Sequence, residues 1–467
     1  MVTRRAFLAA PTLLGRPRRP NILMILPDQL RAQSVGCLGN EDVQTPNIDQ
    51  LAREGMTFTN TIANTPVCCP ARAAILTGQY CHTNGMTAND LRFRESSVTL
   101  SSALKEGGYR TGFIGKWHLD GGPREPGFVP PGPRRHGFDF WAANECSHRH
   151  FDNTYFRDTP EPRRLKTFEP EGWTNLALEF MEASKTDDRP FFLSVFMGPP
   201  HDPYGAPDRY MRRYLPNALT MRPNWKDTPN AGRRDIAAYY AAITAVDDQV
   251  GRMMRGLRQF GLEENTLVLL SSDHGDMLGS QGEILKRKPW DESIRVPGIV
   301  RYPQRIKPGH VSKALFTHVD FAPTLLPFCD VPTPKSMQGA DLSEVMKGKS
   351  SQSPVSAFLQ IFGPYQGDRT AAGWRGVRTE RYLYARYENK PWLFYDMEAD
   401  PYQRRNLVDD RSAASTMTQL DEGLKIWMQH TGDSWANNWT APVEDGGRLY
   451  KDRTYGSVAE YVKGEPI

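Results

Sequence analysis

Cysteine is scarce in this chain: six residues in 467, scattered from Cys37 to Cys329 with no C-x-x-C pair, which excludes a disulfide scaffold and a zinc-ribbon type of site. Long apolar runs are missing as well, so no segment reads as a membrane span. Internal repeats and low-complexity tracts are absent, which excludes solenoids and linker-like proteins. A strong charge of either sign is lacking too. The formal net charge is +4, and Arg4, Arg5, Arg16, Arg18 and Arg19 supply five positive charges in a stretch without Asp or Glu. The rest of the chain is therefore within one charge of neutral, which argues against nucleic acid as a partner. What is present is globular: 39% hydrophobic and 24% charged residues, with 10 Trp and 18 Tyr. The length accommodates a large catalytic unit and a smaller one.

The amino terminus, Thr3-Arg4-Arg5-Ala6-Phe7-Leu8 followed by a short apolar stretch to Leu14, resembles a twin-arginine export signal. Residues 1–19 are thus expected to be a leader and the protein to be periplasmic or secreted; without a working leader it would stay cytoplasmic.

Asn21-Ile-Leu-Met-Ile-Leu26 is a continuous apolar run closing on Pro27-Asp28, the pattern of a strand buried on both faces. Similar runs end at Lys116, lead to His201, and end at Ser272-Asp273. Helical patterns lie between them, over 45–54, 97–107, 175–185 and 235–260. Alternating strands and helices predict an α/β fold with a mostly parallel central sheet flanked by helices. Ligands in such folds collect at the carboxyl ends of strands, which places Asp28, Lys116, His201 and Asp273 at one shared site. After about Gln352 short alternating strands (374–378 and 382–386) and a helix (413–429) predict a small antiparallel sheet with one helix. Residues 20–351 then form the catalytic unit and 352–467 a C-terminal subdomain. The Pro- and Gly-rich stretch from Gly121 to Gly137 reads as a surface loop.

The segment Cys68-Cys69-Pro70-Ala71-Arg72-Ala73-Ala74-Ile75-Leu76-Thr77-Gly78 resembles the C-x-P-x-R, L-T-G signature of type I (formylglycine-dependent) sulfatases, members of the alkaline-phosphatase-like superfamily. The register of Pro70 and Arg72 selects Cys68 over Cys69. The resemblance implies that a formylglycine-generating enzyme oxidises Cys68 to an aldehyde whose hydrate is the nucleophile. It also implies a divalent cation. The family carries paired Asp after its first strand and Asp-Asn or Asp-His after the later one, and binds calcium there; this chain has Asp28-Gln29 and Asp273-His274. Gln29 departs from the commonest pattern, and His274 brings a nitrogen that manganese favours, so Ca2+ is the first choice and Mn2+ the alternative. The residue at position 68 joins Asp28, Gln29, Asp273 and His274 in that ligand set.

Gly115-Lys116-Trp117-His118-Leu119 is similar to the family's G-K-W-H-L segment. The resemblance implies that Lys116 holds sulfate and diol oxygens and that His118 is the base for sulfate elimination. Pro200-His201-Asp202-Pro203 resembles the H-x-P element, making His201 a candidate general acid, with Lys286 competing for the role. Lys286 is selected by counting back from Arg295-Val296-Pro297, with Lys288 as the other register. Arg72 is expected to orient the modified residue through charged hydrogen bonds. For the rest of the substrate, His148, His150 and Asp202 are candidates to grip sugar hydroxyls, besides Lys116, His201 and Lys286. The expected activity is hydrolysis of a sugar or aryl sulfate. Two other readings use the same residues: a phosphonate or phosphate ester hydrolase of the superfamily, which the Lys116-x-His118 pair disfavours, and a non-catalytic binder of sulfated glycans.

Overall fold

Asn21–Asp28 (β1) is buried along its whole length because it lies mid-sheet, with Ile22, Met24 and Leu26 in one hydrophobic cluster and Leu23 and Ile25 in the other. That two-sided burial explains why the strand reads as an unbroken apolar run. The computed structural model describes residues 19–121, 125–362 and 372–435, followed by four two-residue strands paired as Trp439–Thr440 with Thr454–Tyr455 and Glu444–Asp445 with Arg448–Leu449. The twin-arginine-like leader up to residue 18 and residues 122–124 of the predicted surface loop lie outside the described residues.

The remaining strands of the main sheet are Met56–Ile62 (β2), Arg110–Lys116 (β3), Phe140–Asn144 (β4), Phe191–Pro200 (β5), Thr266–Leu270 (β6), Arg295–Val296 (β7), Ile299–Arg301 (β8) and His310–Thr317 (β9). Their order is β9-β2-β8-β6-β1-β5-β3-β4, with β7 paired to β2. β1 runs parallel to β5 and β6, and β3 parallel to β5, so four strands point their carboxyl ends to the same edge. β8 is antiparallel to both of its neighbours, making the sheet mixed but mostly parallel, as predicted. Helices Glu169–Ser184 and Arg233–Gln259 cover the face of Leu23 and Ile25, while Cys68–Thr77, Leu100–Glu106 and His318–Leu325 cover the other. Two helices start away from their sequence expectation for local reasons. Thr99 caps the helix at Leu100–Glu106, its side chain accepting from Ser102 N at 3.1 Å, so that helix begins at Leu100 and not at Ser97. Pro170 and two acidic residues suit a first turn, so the next helix begins at Glu169 and not at Asn175.

Beyond this unit a second sheet forms the antiparallel meander predicted for the C-terminal region: Ala357–Ile361 (β10), Trp374–Arg378 (β11), Tyr382–Tyr387 (β12) and Lys390–Asp396 (β13). Alternate residues share it out: Ala357, Leu359 and Ile361 join the core of the main sheet, whereas Phe358, Val377 and Tyr384 pack under helix Ala414–Thr431. The two sheets thus share one hydrophobic cluster. Among the described residues no helix is long and apolar enough to cross a membrane.

Candidate active site

Three strand ends deliver charged groups to one place, and a fourth, β5, delivers His201. β1 ends on Asp28, and Gln29 turns the chain in the left-handed region (φ 69°). β3 ends on Lys116 after Gly115, at φ 113°, where a Cβ would lie 1.8 Å from the Phe196 carbonyl oxygen of β5; only glycine lets the strands close there. His118 follows, again left-handed at φ 56°. Ser272 ties the ends of β6 and β1 together, its hydroxyl donating to Pro27 O at 2.7 Å and accepting from Leu30 N at 2.9 Å, so Asp273 faces Asp28. Cys68 opens its helix, and the i, i+4 spacing puts Arg72 on the same face one turn below.

Arg72 holds the two carboxylates together. Its Nη2 donates to Asp28 Oδ2 at 2.9 Å, its Nε to Asp273 Oδ2 at 3.1 Å, and its Nη1 to the Lys116 carbonyl. Lys116 Nζ donates to the same Asp28 oxygen at 2.8 Å. All four residues are fully buried, and the pairing is what makes their charges tolerable. Burial and the neighbouring Cys68 push Asp28 up, but Lys116, His201 and Arg72 outweigh them and hold its carboxyl well below the usual range.

The other carboxylate oxygens are turned toward Cys68 and His274. Cys68 Sγ lies 3.2 Å from His274 Nε2 and 4.0 Å from Asp28 Oδ1, and His274 Nε2 lies 3.5 Å from Asp28 Oδ1 and 3.7 Å from Asp273 Oδ1. Asp28, Cys68, Asp273 and His274 each offer one ligand atom, all within 4.8 Å of one another. His274 Nδ1 sits 3.0 Å from the Gly275 carbonyl; donating its proton there leaves the Nε2 lone pair facing the cluster, as a metal ligand requires. Two carboxylates and one imidazole suit a divalent cation. The Cys68 sulfur stands where a formylglycine at that position would present its oxygen.

On the open side, Lys286 Nζ donates to Gln29 Oε1 at 2.7 Å and to His201 Nε2 at 2.8 Å, and lies 3.4 Å from Cys68 Sγ. His201 Nδ1 faces two acceptors, Asp202 O at 2.7 Å and Asp202 Oδ1 at 3.2 Å, so its proton sits on Nδ1 and its Nε2 accepts from Lys286. Lys288 pairs instead with Glu283 at 3.1 Å, away from the cluster. Arg72, Lys116 and Lys286 against Asp28 and Asp273 leave the pocket with one positive charge more than negative, before any cation. Burial raises the Cys68 thiol, but the charges of Lys286 and Lys116, with His274 and a hydrogen bond from His118 beside it, hold it well below the ordinary thiol range. The pocket therefore stabilises an anion at position 68 and beside it.

The two histidines of the Cys146–Phe151 loop part company. His148, half-buried, stacks on the His201 ring (centroids 4.5 Å apart, planes within 6°) and accepts from Lys116 Nζ at 3.3 Å; Lys116, burial and His201 keep it neutral. His150, expected to face substrate, is turned away: its nitrogens meet Glu169 Oε2 at 2.8 Å and the His201 carbonyl at 3.0 Å, a buried brace behind His201. The chain turns at this point, the Asp152 N–H donating to the Arg149 carbonyl at 3.3 Å, so the two rings leave on different sides. Gln29 supports the cluster from the side: its main-chain N–H donates to Asp273 Oδ1 at 3.0 Å and its side-chain oxygen is taken by Lys286. Asp202 is partly exposed at the rim and accepts from Gln29 Nε2 at 3.3 Å.

Sequence reading missed three residues here. Asp90, itself at φ 68°, lies 3.2 Å from His118 Nε2 through Oδ1; burial lowers His118, but Cys146, Cys69 and Asp90 together hold it well above an ordinary histidine. Glu145 is buried behind His118 and pushed up to about 8 by burial. Asp276 is buried beside Gln29. No motif spacing marks them, because each acts through a neighbour.

Fold and site together define a hydrolase of anionic esters on an alkaline-phosphatase-like α/β fold. The chain belongs to the sulfatase family, whose model matches residues 20–331, and a second model, the N-sulphoglucosamine sulphohydrolase C-terminal region, matches residues 279–430. It is 37% identical to an ulvan-active sulfatase of Formosa agariphila over 90% of this chain and 83% of that protein. It is 28% identical to an N-acetylglucosamine-6-O-sulfatase of Bacteroides thetaiotaomicron, over 87% and 86% of the two chains. Among solved structures, a putative sulfatase of Bacteroides fragilis superposes with a TM-score of 0.82 at 32% identity, covering 91% of this chain and 99% of that one. The protein is accordingly an enzyme that hydrolyses sulfate esters.

Proposed function

We propose that this sulfatase removes sulfate from a carbohydrate, using a formylglycine made from Cys68 by a formylglycine-generating enzyme and a divalent cation, calcium before manganese. The observation that carries the reading is the convergence of Cys68, Asp28, Asp273, His274, Arg72, Lys116 and Lys286 at one sheet edge, with an excess of positive charge. Carbohydrate is favoured because the relatives include an ulvan-active and an N-acetylglucosamine-6-O-sulfatase. Asp28, Asp273, His274 and the residue at 68 would hold the cation, which when bound favours the ionised nucleophile and offsets sulfate charge.

The chain's own groups account for the rest. Lys116 and Lys286 draw the sulfate in and orient it. One hydroxyl of the hydrated aldehyde, ionised with its proton released to solvent, forms a bond to sulfur as the bond from sulfur to the ester oxygen breaks. The departing alcohol takes its proton from Lys286, the group that holds one facing the pocket, while His201 accepts from and aims that ammonium. The second hydroxyl then gives its proton to the neutral form of His118, a strong base because Cys146, Cys69 and Asp90 favour its protonation. The C–O bond carrying sulfate breaks and the aldehyde returns, and water restores the hydrate as His118 releases the proton to solvent. Arg72 keeps Asp28 and Asp273 in register throughout. His148 and Asp202, at the rim, face the alcohol portion. The basic leader supports export to the periplasm or beyond.

The test is a mass spectrum of the peptide Glu54–Arg72 after coexpression with a formylglycine-generating enzyme, followed by a screen of sulfated monosaccharides and a phosphonate monoester. An aldehyde at position 68 with sulfate release is expected. An unmodified thiol in active enzyme defeats the nucleophile, and preference for the phosphonate defeats the substrate class. Binding of sulfated glycans without cleavage would make the chain a lectin-like relative.

A further inference from the structure

The Gln29 amide reaches back to a carboxylate outside the catalytic cluster. Asp276 is fully buried; its Oδ2 accepts from Gln29 Nε2 at 2.7 Å and from the Tyr204 hydroxyl at 2.6 Å, and its Oδ1 from the Leu278 amide at 3.0 Å. Every partner is a donor, which an acceptor-only group satisfies completely. Burial raises the Asp276 carboxyl above its usual range, opposed by the Tyr204 and Leu278 donors, by the buried Arg31 guanidinium, which donates to the Asp276 carbonyl at 3.3 Å, and by Gln29. The two ends of an amide are chemically opposite. With its NH2 pinned on a carboxylate, the Gln29 oxygen must face the other way, where the Lys286 ammonium sits 2.7 Å off. Turned around, the amide would set NH2 against ammonium and oxygen against carboxylate, two repulsive contacts for two attractive ones.

We propose that Asp276 is a positioning residue that fixes the orientation of the Gln29 amide and, through it, aims the Lys286 ammonium at the departing ester oxygen. This rests on Lys286 as the proton donor. Where the sulfatase pattern most often has a second aspartate, this chain has a neutral amide at position 29 and a buried carboxylate at 276 behind it. The amide thus holds Lys286 without a formal charge being added to the pocket. Tyr204, half-buried, closes the far side of Asp276.

The experiment is a reciprocal swap. Asp276→Asn keeps the shape but leaves a donor facing a donor either way: its NH2 meets Leu278 N–H or the Gln29 NH2, and the second case turns the amide. Gln29→Glu puts two carboxylates together. The double variant restores one amide and one carboxylate in reversed order, with the carboxylate now at position 29 free to accept from both the amide at position 276 and Lys286. Matured enzymes, with Lys286→Ala alongside, are assayed on aryl sulfates whose phenols range from strongly to weakly acidic. A misaimed acid costs most where the leaving group needs the proton most. We expect both single variants to lose about tenfold or more in kcat on the poorest leaving groups and little on the best, and the double variant to recover most of it. If Lys286→Ala changes rates equally for all phenols, the acid reading itself falls. If Lys286→Ala steepens the dependence and Asp276→Asn does not, only the role of Asp276 falls. Calcium affinity by calorimetry should be unchanged in Asp276→Asn; a drop there without a change in leaving-group dependence would mean that Gln29 serves the cation, and would overturn the proposal. A crystal structure of the variant reads the aim without turnover: Lys286 withdrawn from residue 29 supports the proposal, an unchanged pose refutes it. Should Asp276→Asn not fold, Gln29→Met, which removes both the acceptor for Lys286 and the NH2 that Asp276 holds, must give the same steepening.

Discussion

Arg72 is the most informative single perturbation, because it neutralises both carboxylates that would hold a cation. In Arg72→Met the side chain keeps its bulk but Asp28 and Asp273 lose charged hydrogen bonds of 2.9 and 3.1 Å in a site without solvent. Removing one partner of a buried pair costs about 3–5 kcal/mol. Unfolding entropy of about 2.1 cal/mol/K per residue over 467 residues gives roughly 1 kcal/mol per kelvin, so the midpoint should fall by about 3–5 °C if the chain unfolds as one unit. The same substitution removes a positive charge beside the cation site, so a divalent ion should bind more tightly. Each tenfold gain in affinity returns about 1.4 kcal/mol at saturation. Thermal unfolding followed by circular dichroism, in chelator and in millimolar calcium, should therefore show calcium raising the midpoint more in the variant than in the parent. An equal or smaller rise would refute the assignment of these carboxylates to a cation, and no deficit in chelator would refute the buried-pair argument.

Cys68→Ala should abolish turnover while leaving stability within about a kcal/mol of the parent, and Cys69→Ala should retain most activity, because its main-chain N–H still reaches Asn89 and its thiol is only one of three groups that hold His118. Glu145 has a folded pKa raised from 4.5 to about 8 by burial, with one carboxyl oxygen lacking a partner. For a raised pKa the stability contribution is intact below pH 4.5 and is lost as pH rises through about 8, a ceiling near 5 kcal/mol. Glu145→Gln should therefore flatten the fall in stability between pH 5 and pH 8 seen in urea titrations; parallel profiles would mean that the carboxyl ionises freely. Trp374→Phe removes the N–H that donates to the Arg287 carbonyl at 3.0 Å, next to Lys286, which lies between left-handed Leu285 and Arg287. It should lower kcat several-fold with a stability loss of about 1 kcal/mol, read by steady-state kinetics and denaturant melts.

The strands that carry the site were legible because burial on both faces leaves a plain mark, an apolar run ended by a charge. β1 ends on Asp28, β3 on Lys116, and β6 stops three residues before Asp273. Cys68 and Arg72 were legible because an eleven-residue motif fixes their register on one helix face. His150 was misread as facing substrate, since a loop sequence does not say which of two nearby histidines turns inward; Glu169, on a helix that starts 19 residues later, decides that. Lys286 could be chosen over Lys288 by counting, but what aims it comes from Gln29, His201 and the Trp374 contact to its neighbour.

The amino-acid sequence by itself determined the class of fold, the placing of Cys68 and Arg72 on one motif and the kinds of charge brought to the strand ends, because hydrophobic periodicity and short motifs are local properties. Only the tertiary structure decided how those charges divide. Arg72 takes one oxygen from each carboxylate and leaves the other for a ligand, His201 gives up its pocket-facing lone pair to Lys286, and Gln29 is oriented by Asp276, 247 residues away along the chain. A hydrogen bond depends on distances of a few tenths of an ångström and on donor direction, and those are set by packing between segments far apart in the chain.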